Sequence, residues 1–285
     1  MNKKVLIIIF AAIFFVAGVA AAFFFTRDKE GNNPTLDVTN VDNTEYTEDS
    51  LTATVTFPEG YTVTQIAEKL EENKVCSAED FIDAVNNPSE EILSKLSITN
   101  TSERIFTLEG YVFPDTYEFY KGENPQSVLG RFIDNFNYKI TDTDKARAAE
   151  LGYTMDEIVT IASIIQKEAG RDDQDYKVSS VLHNRLNSGT KIECDVTINY
   201  LETYCAPYLD GGITETHKDN YNTYRCAALP KGPICNPGYN CIQAALYPEQ
   251  TDYLFFVTDA DMNYYYAVTW EEHCANCHTA GIPGY

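Results

Sequence analysis

A chain of 285 residues has room for one large or two modest domains beyond any membrane segment, and enough length to bury a sizeable core. Its formal charge of −22, with acidic residues spread over most of the length, argues against nucleic acid or anionic lipid as the main partner, because both are bound by basic surfaces. Twenty tyrosines and fifteen phenylalanines supply flat apolar faces, the tyrosines with polar tips, which suit carbohydrate rings as well as cores and interfaces.

Lys3 and Lys4 precede an uncharged run from Val5 to Phe25, which is followed by Arg27-Asp28-Lys29-Glu30. As a helix rising ~1.5 Å per residue, such a run covers the ~30 Å of a bilayer core. The leading lysines stay inside, which puts the rest of the chain outside the cytoplasm. Ala20-Ala21-Ala22 offers a rival cleavage point for a signal peptide, but the apolar run continues through Phe23, Phe24 and Phe25. An uncleaved single-pass membrane anchor over residues 1–27 is therefore expected. Residues 28–51, rich in Asp, Glu, Asn and Thr, cannot build a core and read as an acidic flexible tether.

Residues 52–97 read as a small module. Thr54-Val55-Thr56-Phe57 alternates like a strand, Pro58-Glu59-Gly60 is a turn, and Val63, Ile66, Ala67 and Leu70 recur at helical spacing up to Asn73. Ser77 opens a second short helix with Phe81, Ile82 and Val85 on its apolar side. In residues 98–285, the stretch from Thr107 to Tyr120 reads as strand and turn around Phe113-Pro114. Helices are expected over Val128–Ile140, Met155–Ala169 and Tyr176–Leu186. After Lys191 strands and loops are expected to dominate, including Tyr253–Val257 and Tyr264–Thr269. Helices first and strands later predict an α+β fold.

The helix from Met155 carries the most informative residue. Thr154 and Glu157 form a capping box, and Ile158, Ile161, Ala162, Ile165, Glu168 and Ala169 share one face. Glu168 thus continues an apolar stripe, where burial disfavours the ionised carboxyl and raises its pKa, the condition for a general acid near neutrality. The competing expectations are a solvated last-turn residue and a carboxylate paired with a core arginine.

Eight cysteines in an extracytoplasmic chain predict disulfides, with Cys194–Cys205 and Cys226–Cys235 as near neighbours and Cys76 as a free thiol; the sequence does not fix the pairing. Cys274-Ala275-Asn276-Cys277-His278 matches the pattern for haem attachment, and His273 adds a fourth ligand for zinc. A disulfide is preferred to either, and no metal or cofactor is expected.

Several strings together resemble one family, the endolytic murein (peptidoglycan) transglycosylases of the MltG or YceG-like type. They are Leu108-Glu109-Gly110-Tyr111-Val112-Phe113-Pro114-Asp115-Thr116-Tyr117, Ile161 through Glu168, Asn184-Arg185-Leu186, Tyr221 through Arg225, Leu229 through Ile234, Asn236-Pro237-Gly238 and Thr269 through His273. Their order and spacing cover nearly the whole larger domain. The resemblance extends to the anchor and to residues 52–97, which look like the family's LysM-like subdomain, leaving 98–285 as the transglycosylase catalytic domain.

The resemblance implies non-hydrolytic cleavage of the β-1,4 bond between N-acetylmuramic acid and N-acetylglucosamine, with the muramic C6 hydroxyl attacking C1 to leave a 1,6-anhydro end. One glutamate, aligned with Glu168, serves as acid and then base, since the nucleophile belongs to the substrate and no second carboxylate need activate water. Glu109, Asp115, Asp195, Asn222, Tyr224 and Asn236 are carried over as substrate contacts, with local capping or pairing as the alternative for Glu109 and Asp115 and turn formation as the alternative for Asn222. Arg185 is expected in a buried ion pair. The implied partners are peptidoglycan glycan strands, the membrane and cell-wall synthesis enzymes. A non-catalytic glycan-binding scaffold would share the anchor, module and aromatic content. The chain departs from the family pattern at Asp195-Val196-Thr197 and at Asn263-Tyr264-Tyr265-Tyr266, and its cysteines are no family hallmark.

Overall fold

A computed structural model describes residues 51–98, 101–170 and 172–283. The chain divides into two units, 1–45 and 46–285, and every described residue lies in the second. The expected anchor, and all of the expected tether but Leu51, lie outside the described residues. Among the described residues no helix is long and apolar enough to cross a membrane.

Strand β1 (Thr52–Thr56) leads through the Pro58–Gly60 turn to α1 (Val63–Glu72), α2 (Ala78–Asn86) and α3 (Glu90–Ser94). Each helix starts where the sequence offers a side-chain cap: Thr62 with Gln65 as a capping box, then Ser77 and Ser89. Strand β2 (Thr116–Tyr120) pairs antiparallel with β1, from Thr52 opposite Tyr120 to Thr56 opposite Thr116. The partner of the module's only strand therefore comes from beyond residue 97. Under this ribbon Phe57 meets Phe132 edge-on at 5.2 Å, and Phe81 meets the same ring at 6.0 Å. One apolar core thus runs through both expected domains.

Helix α4 (Pro125–Lys139) carries Phe132, and α5 (Asp142–Leu151) follows with a Thr141–Asp144 capping box. Next come α6 (Met155–Glu168) and α7 (Asp175–Ser188). The chain continues through the single turn α8 (Val196–Asn199), a π-helical stretch Tyr200–Cys205, α9 (Glu215–Tyr221) and α10 (Tyr239–Leu246). Strands β3 (Phe255–Thr258) and β4 (Tyr264–Ala267) form an antiparallel hairpin, and α11 (Trp270–Thr279) closes the described chain.

The α+β class stands, but the expected dominance of strands and loops after Lys191 does not, because α8 to α11 and the π-helical stretch occupy much of that region. Helix α10 has no side-chain cap at Gly238 and is buried along most of its length, so it lacks both a start signal and a polar face. It packs across α6, whose Ile158, Ile161, Ala162 and Ile165 are fully buried. Between these elements Gly110 adopts φ +91°, and a side chain there would run into Pro233, so close approach and left-handed backbone both require glycine.

Candidate functional site

The capping box of Thr154 and Glu157 fixes the start of α6, and its isoleucine stripe fixes which way the helix faces the core. Fourteen residues long, the helix ends at Glu168, where the apolar stripe reaches the wall of a cavity of about 410 Å³. The Glu168 side chain is half-buried and lines that cavity. Burial pushes its carboxyl pKa up to about 7, against hydrogen bonds from the Cys194 thiol and the Val196 N–H, while the Asp195 charge pushes the same way as burial. The expected raised pKa is present, and no arginine is among the groups that perturb it.

The end of α6 is held by the β3–β4 hairpin. Tyr264 donates its hydroxyl hydrogen to the Glu168 carbonyl at 3.2 Å and accepts from the Gly170 N–H at 2.7 Å.

Asp195 and Tyr224 line the same cavity, and the Tyr224 hydroxyl donates to Asp195 at 2.9 Å. Asn222 builds the turn that presents Tyr224: its side-chain oxygen accepts the Tyr224 N–H at 2.9 Å, and its carbonyl accepts the N–H groups of Arg225 and Cys226. The alternative of turn formation therefore describes Asn222. Two residues that the sequence reading missed hold the 194–197 segment beside Glu168. Buried Thr223 accepts the Cys194 N–H at 2.9 Å, and buried Thr197 donates to the Cys194 carbonyl at 2.8 Å. Thr223 reaches back 29 residues and no local pattern marks it, whereas the Thr197 bond closes a turn only three residues long.

Glu109, Asp115 and Asn236 do not line this cavity. Glu109 is 0 % exposed and accepts from the Val63 N–H at 3.0 Å, from Asn236 at 2.8 Å and from the Tyr200 hydroxyl at 3.2 Å. Its carboxyl oxygens cap the start of α1, satisfying a helix N–H that has no partner within the helix. Burial pushes its pKa up to about 8, against hydrogen bonds from Val63 and Tyr200 and the charge of Lys167. Asn236, equally buried, accepts the Val112 N–H at 2.8 Å and donates to the Tyr61 carbonyl at 3.0 Å. Together they pin residues 61–63, 109–112 and 236. Asp115 pairs with Lys139 at 3.1 Å and with Asn135; these bonds and the Thr116 N–H outweigh burial and hold its pKa below the ordinary value.

Arg185 is buried but the expected buried ion pair does not form: its acidic partner Glu193, at 3.1 Å, is exposed, and Arg185 donates mainly to the carbonyls of Leu254, Lys191 and Ile192. Its guanidinium lies 4.9 Å from the centre of the Phe255 ring. Phe255, Trp270 and His273 form an aromatic wall of the Glu168 cavity that the sequence reading did not single out. The strings around them, Thr269 to His273 and Tyr253 to Val257, were visible but gave no sign that they meet.

All eight cysteines are free thiols, so neither the Cys194–Cys205 nor the Cys226–Cys235 bridge forms. Cys194 is committed to Glu168, Cys205 to Tyr200, and Cys235 donates to the Ser163 carbonyl at 3.4 Å. Cys277 sits on α11 with its sulfur 3.5 Å from His273 Nε2. Among the described residues no group of three or more His, Cys, Asp or Glu side chains is arranged to hold a metal ion.

The mixed α+β fold thus carries a half-buried carboxyl of raised pKa in an aromatic-walled cavity, an arrangement capable of acid–base chemistry. The chain belongs to the YceG-like family, whose model matches residues 35–279. It is 26% identical over 255 residues to an endolytic murein transglycosylase of Streptococcus pneumoniae, covering 82% of this chain and 45% of that protein. It is 27% identical over 239 residues to an endolytic murein transglycosylase of Bacillus subtilis, covering 77% of this chain and 62% of that protein. The chain thus spans about half the length of the curated relatives it matches. A 2.6 Å crystal structure of a protein described as yceG-like, from Listeria monocytogenes, superposes with a TM-score of 0.66 at 28% identity, over 78% of this chain and 75% of that one.

Proposed function

We propose that this chain is a peptidoglycan lytic transglycosylase that cleaves the N-acetylmuramic acid–N-acetylglucosamine β-1,4 bond without water. The observation that carries the proposal is Glu168, a carboxyl with a pKa raised to about 7 on the wall of a cavity large enough for sugar rings. Near neutrality a substantial fraction of molecules holds the proton that the leaving glycosidic oxygen needs. As the C1–O bond breaks, Glu168 gives that proton to the departing N-acetylglucosamine O4. The carboxylate left behind takes the proton of the muramic C6 hydroxyl, whose oxygen forms the new bond to C1. The carboxyl ends as it began, protonated, and the product carries a 1,6-anhydro ring.

Burial serves both halves of the cycle, because a pKa near the working pH lets one group donate and then accept. Asp195 and Tyr224 are the carried-over contacts that line the cavity, and they are assigned to the substrate; Asn222 supports Tyr224. Glu109 and Asn236 are assigned to the scaffold. Residues 1–27 are taken as a single-pass anchor and 28–51 as a tether, with 52–97 as a LysM-like glycan-holding part outside the cytoplasm. In that arrangement cutting is confined to nascent glycan strands near the membrane and its synthesis enzymes. The test is product chemistry: purified peptidoglycan digested by the chain should give anhydro-muropeptides, whereas reducing ends that have gained a water would make the enzyme a hydrolase and overturn the mechanism.

A further inference from the structure

The chain has a single tryptophan, and it is spent at an unusual place. Trp270 is the first residue of α11, set there by the Thr269–Glu272 capping box, and it is 52% exposed while lining the Glu168 cavity. A lone exposed hydrophobe needs no explanation, but one that continues an apolar patch inside a polar-rimmed cavity marks a binding surface. Three residues on, His273 lies on the same side of the helix, with ring centres 5.3 Å apart. Phe255 of β3 stacks on His273 at 5.2 Å and meets Trp270 edge-on at 5.7 Å.

The three rings are fixed from behind. Arg185 lies against Phe255 and is itself held by the carbonyls of Leu254, Lys191 and Ile192, and Cys277 supports His273 from the next turn. Burial and the Arg185 charge lower the His273 pKa below the ordinary histidine value, so the ring is an uncharged aromatic at neutral pH. A rigid ring cluster loses little side-chain entropy when something flat settles on it.

We propose that Trp270, braced by His273 and Phe255, is a pyranose platform of the Glu168 cavity, taking the C–H face of a neutral N-acetylated sugar next to the bond that is cut. The chemistry favours a sugar over other flat ligands because the same cavity carries Glu168, Glu193 and Asp195. These carboxyl groups accept hydroxyl and acetamido hydrogens at the sugar's edge. The assignment rests on the glycan reading above and adds to it the residues that grip the substrate.

The lone tryptophan makes the test direct, since indole emission reports this site and no other. The full-length Glu168→Gln chain, blocked in turnover, is titrated with soluble uncrosslinked strands of alternating N-acetylglucosamine and N-acetylmuramic acid, following tryptophan emission and binding heat together. Both signals should saturate at one affinity. In calorimetry, Trp270→Ala in the same background should weaken binding about tenfold or more, as expected for an anchor residue, and Trp270→Phe by distinctly less. Far-UV circular dichroism and melting show whether each variant is folded; if Trp270→Ala is not, the emission titration of the Trp-containing chain and the Trp270→Phe comparison decide. Binding heat that saturates while emission stays constant would overturn the platform, as would undiminished binding by folded Trp270→Ala. No binding heat with any strand would sink the glycan reading and the platform with it. Emission that shifts with lipid vesicles and not with strands would instead make Trp270 a membrane contact.

Discussion

Glu109 is the strongest internal test of the electrostatics. Buried at 0 % exposure among the Val63 N–H, Asn236 and Tyr200, its carboxyl is raised from 4.5 to about 8. Between those two values the folded chain holds a proton that the unfolded chain has released, so stability falls as pH rises. The contribution is present in full below about pH 4.5 and is lost as pH passes through about 8. One proton corresponds to ~1.4 kcal/mol per pH unit, which sets a ceiling of about 5 kcal/mol across the window. Glu109→Gln keeps the acceptor for the Val63 N–H and offers an N–H to Tyr200, but never ionises. Urea unfolding followed by circular dichroism from pH 5 to 9 should show wild type losing stability relative to the variant by several kcal/mol, on the order of that ceiling. Comparing the two proteins cancels the contributions of Glu168, which has the same sign, and of His183, whose burial-lowered pKa has the opposite one. Parallel pH profiles for the two chains would refute the buried neutral carboxyl.

Other expectations follow from the same geometry. Arg104 is paired with Asp156 at 2.6 Å with both side chains buried, so Arg104→Met should cost about 3–5 kcal/mol in denaturant unfolding, because it strands a buried carboxylate. Asp195→Asn removes a like charge that raises the Glu168 pKa, so the alkaline limb of the pH–rate profile should move to lower pH; an unmoved limb would dissociate Asp195 from the acid. Tyr264→Phe loses the hydroxyl that joins Glu168 and Gly170, and should cost about 1 kcal/mol of stability while lowering kcat more than it alters KM. A change in KM alone would deny Tyr264 a part in positioning the acid.

What the sequence made legible was local. Helix α6 declares itself through Thr154, Glu157 and the isoleucine stripe, and with it the raised pKa of Glu168, because helix period and burial act within one segment. The same capping chemistry at Thr141–Asp144 and Thr269–Glu272 was available for α5 and α11. There it went unread: α5 has only Asp144 and Ala148 buried, and the cysteines of α11 suggested a metal motif instead. Glu109 and Asn236 could not be told from substrate contacts, since a polar residue in a family string looks the same whether it faces a cleft or another part of the chain. Their bond joins positions 127 apart, and only the fold reveals that it closes within the core. The aromatic wall has the same character. Arg185, Phe255, Trp270 and His273 come from a helix, a hairpin and the last helix, and meet only through tertiary packing.

The central claim is that Glu168 moves the proton in both halves of one cleavage, and Glu168→Gln tests it most directly. The substitution keeps the side-chain shape and the acceptor for the Val196 N–H, so the folded chain should survive with its melting temperature little changed. Incubated with purified peptidoglycan beside wild type and analysed by mass spectrometry, the variant should form no new 1,6-anhydro ends while wild type forms them. Anhydro ends accumulating at the wild-type rate from folded Glu168→Gln would contradict the assignment.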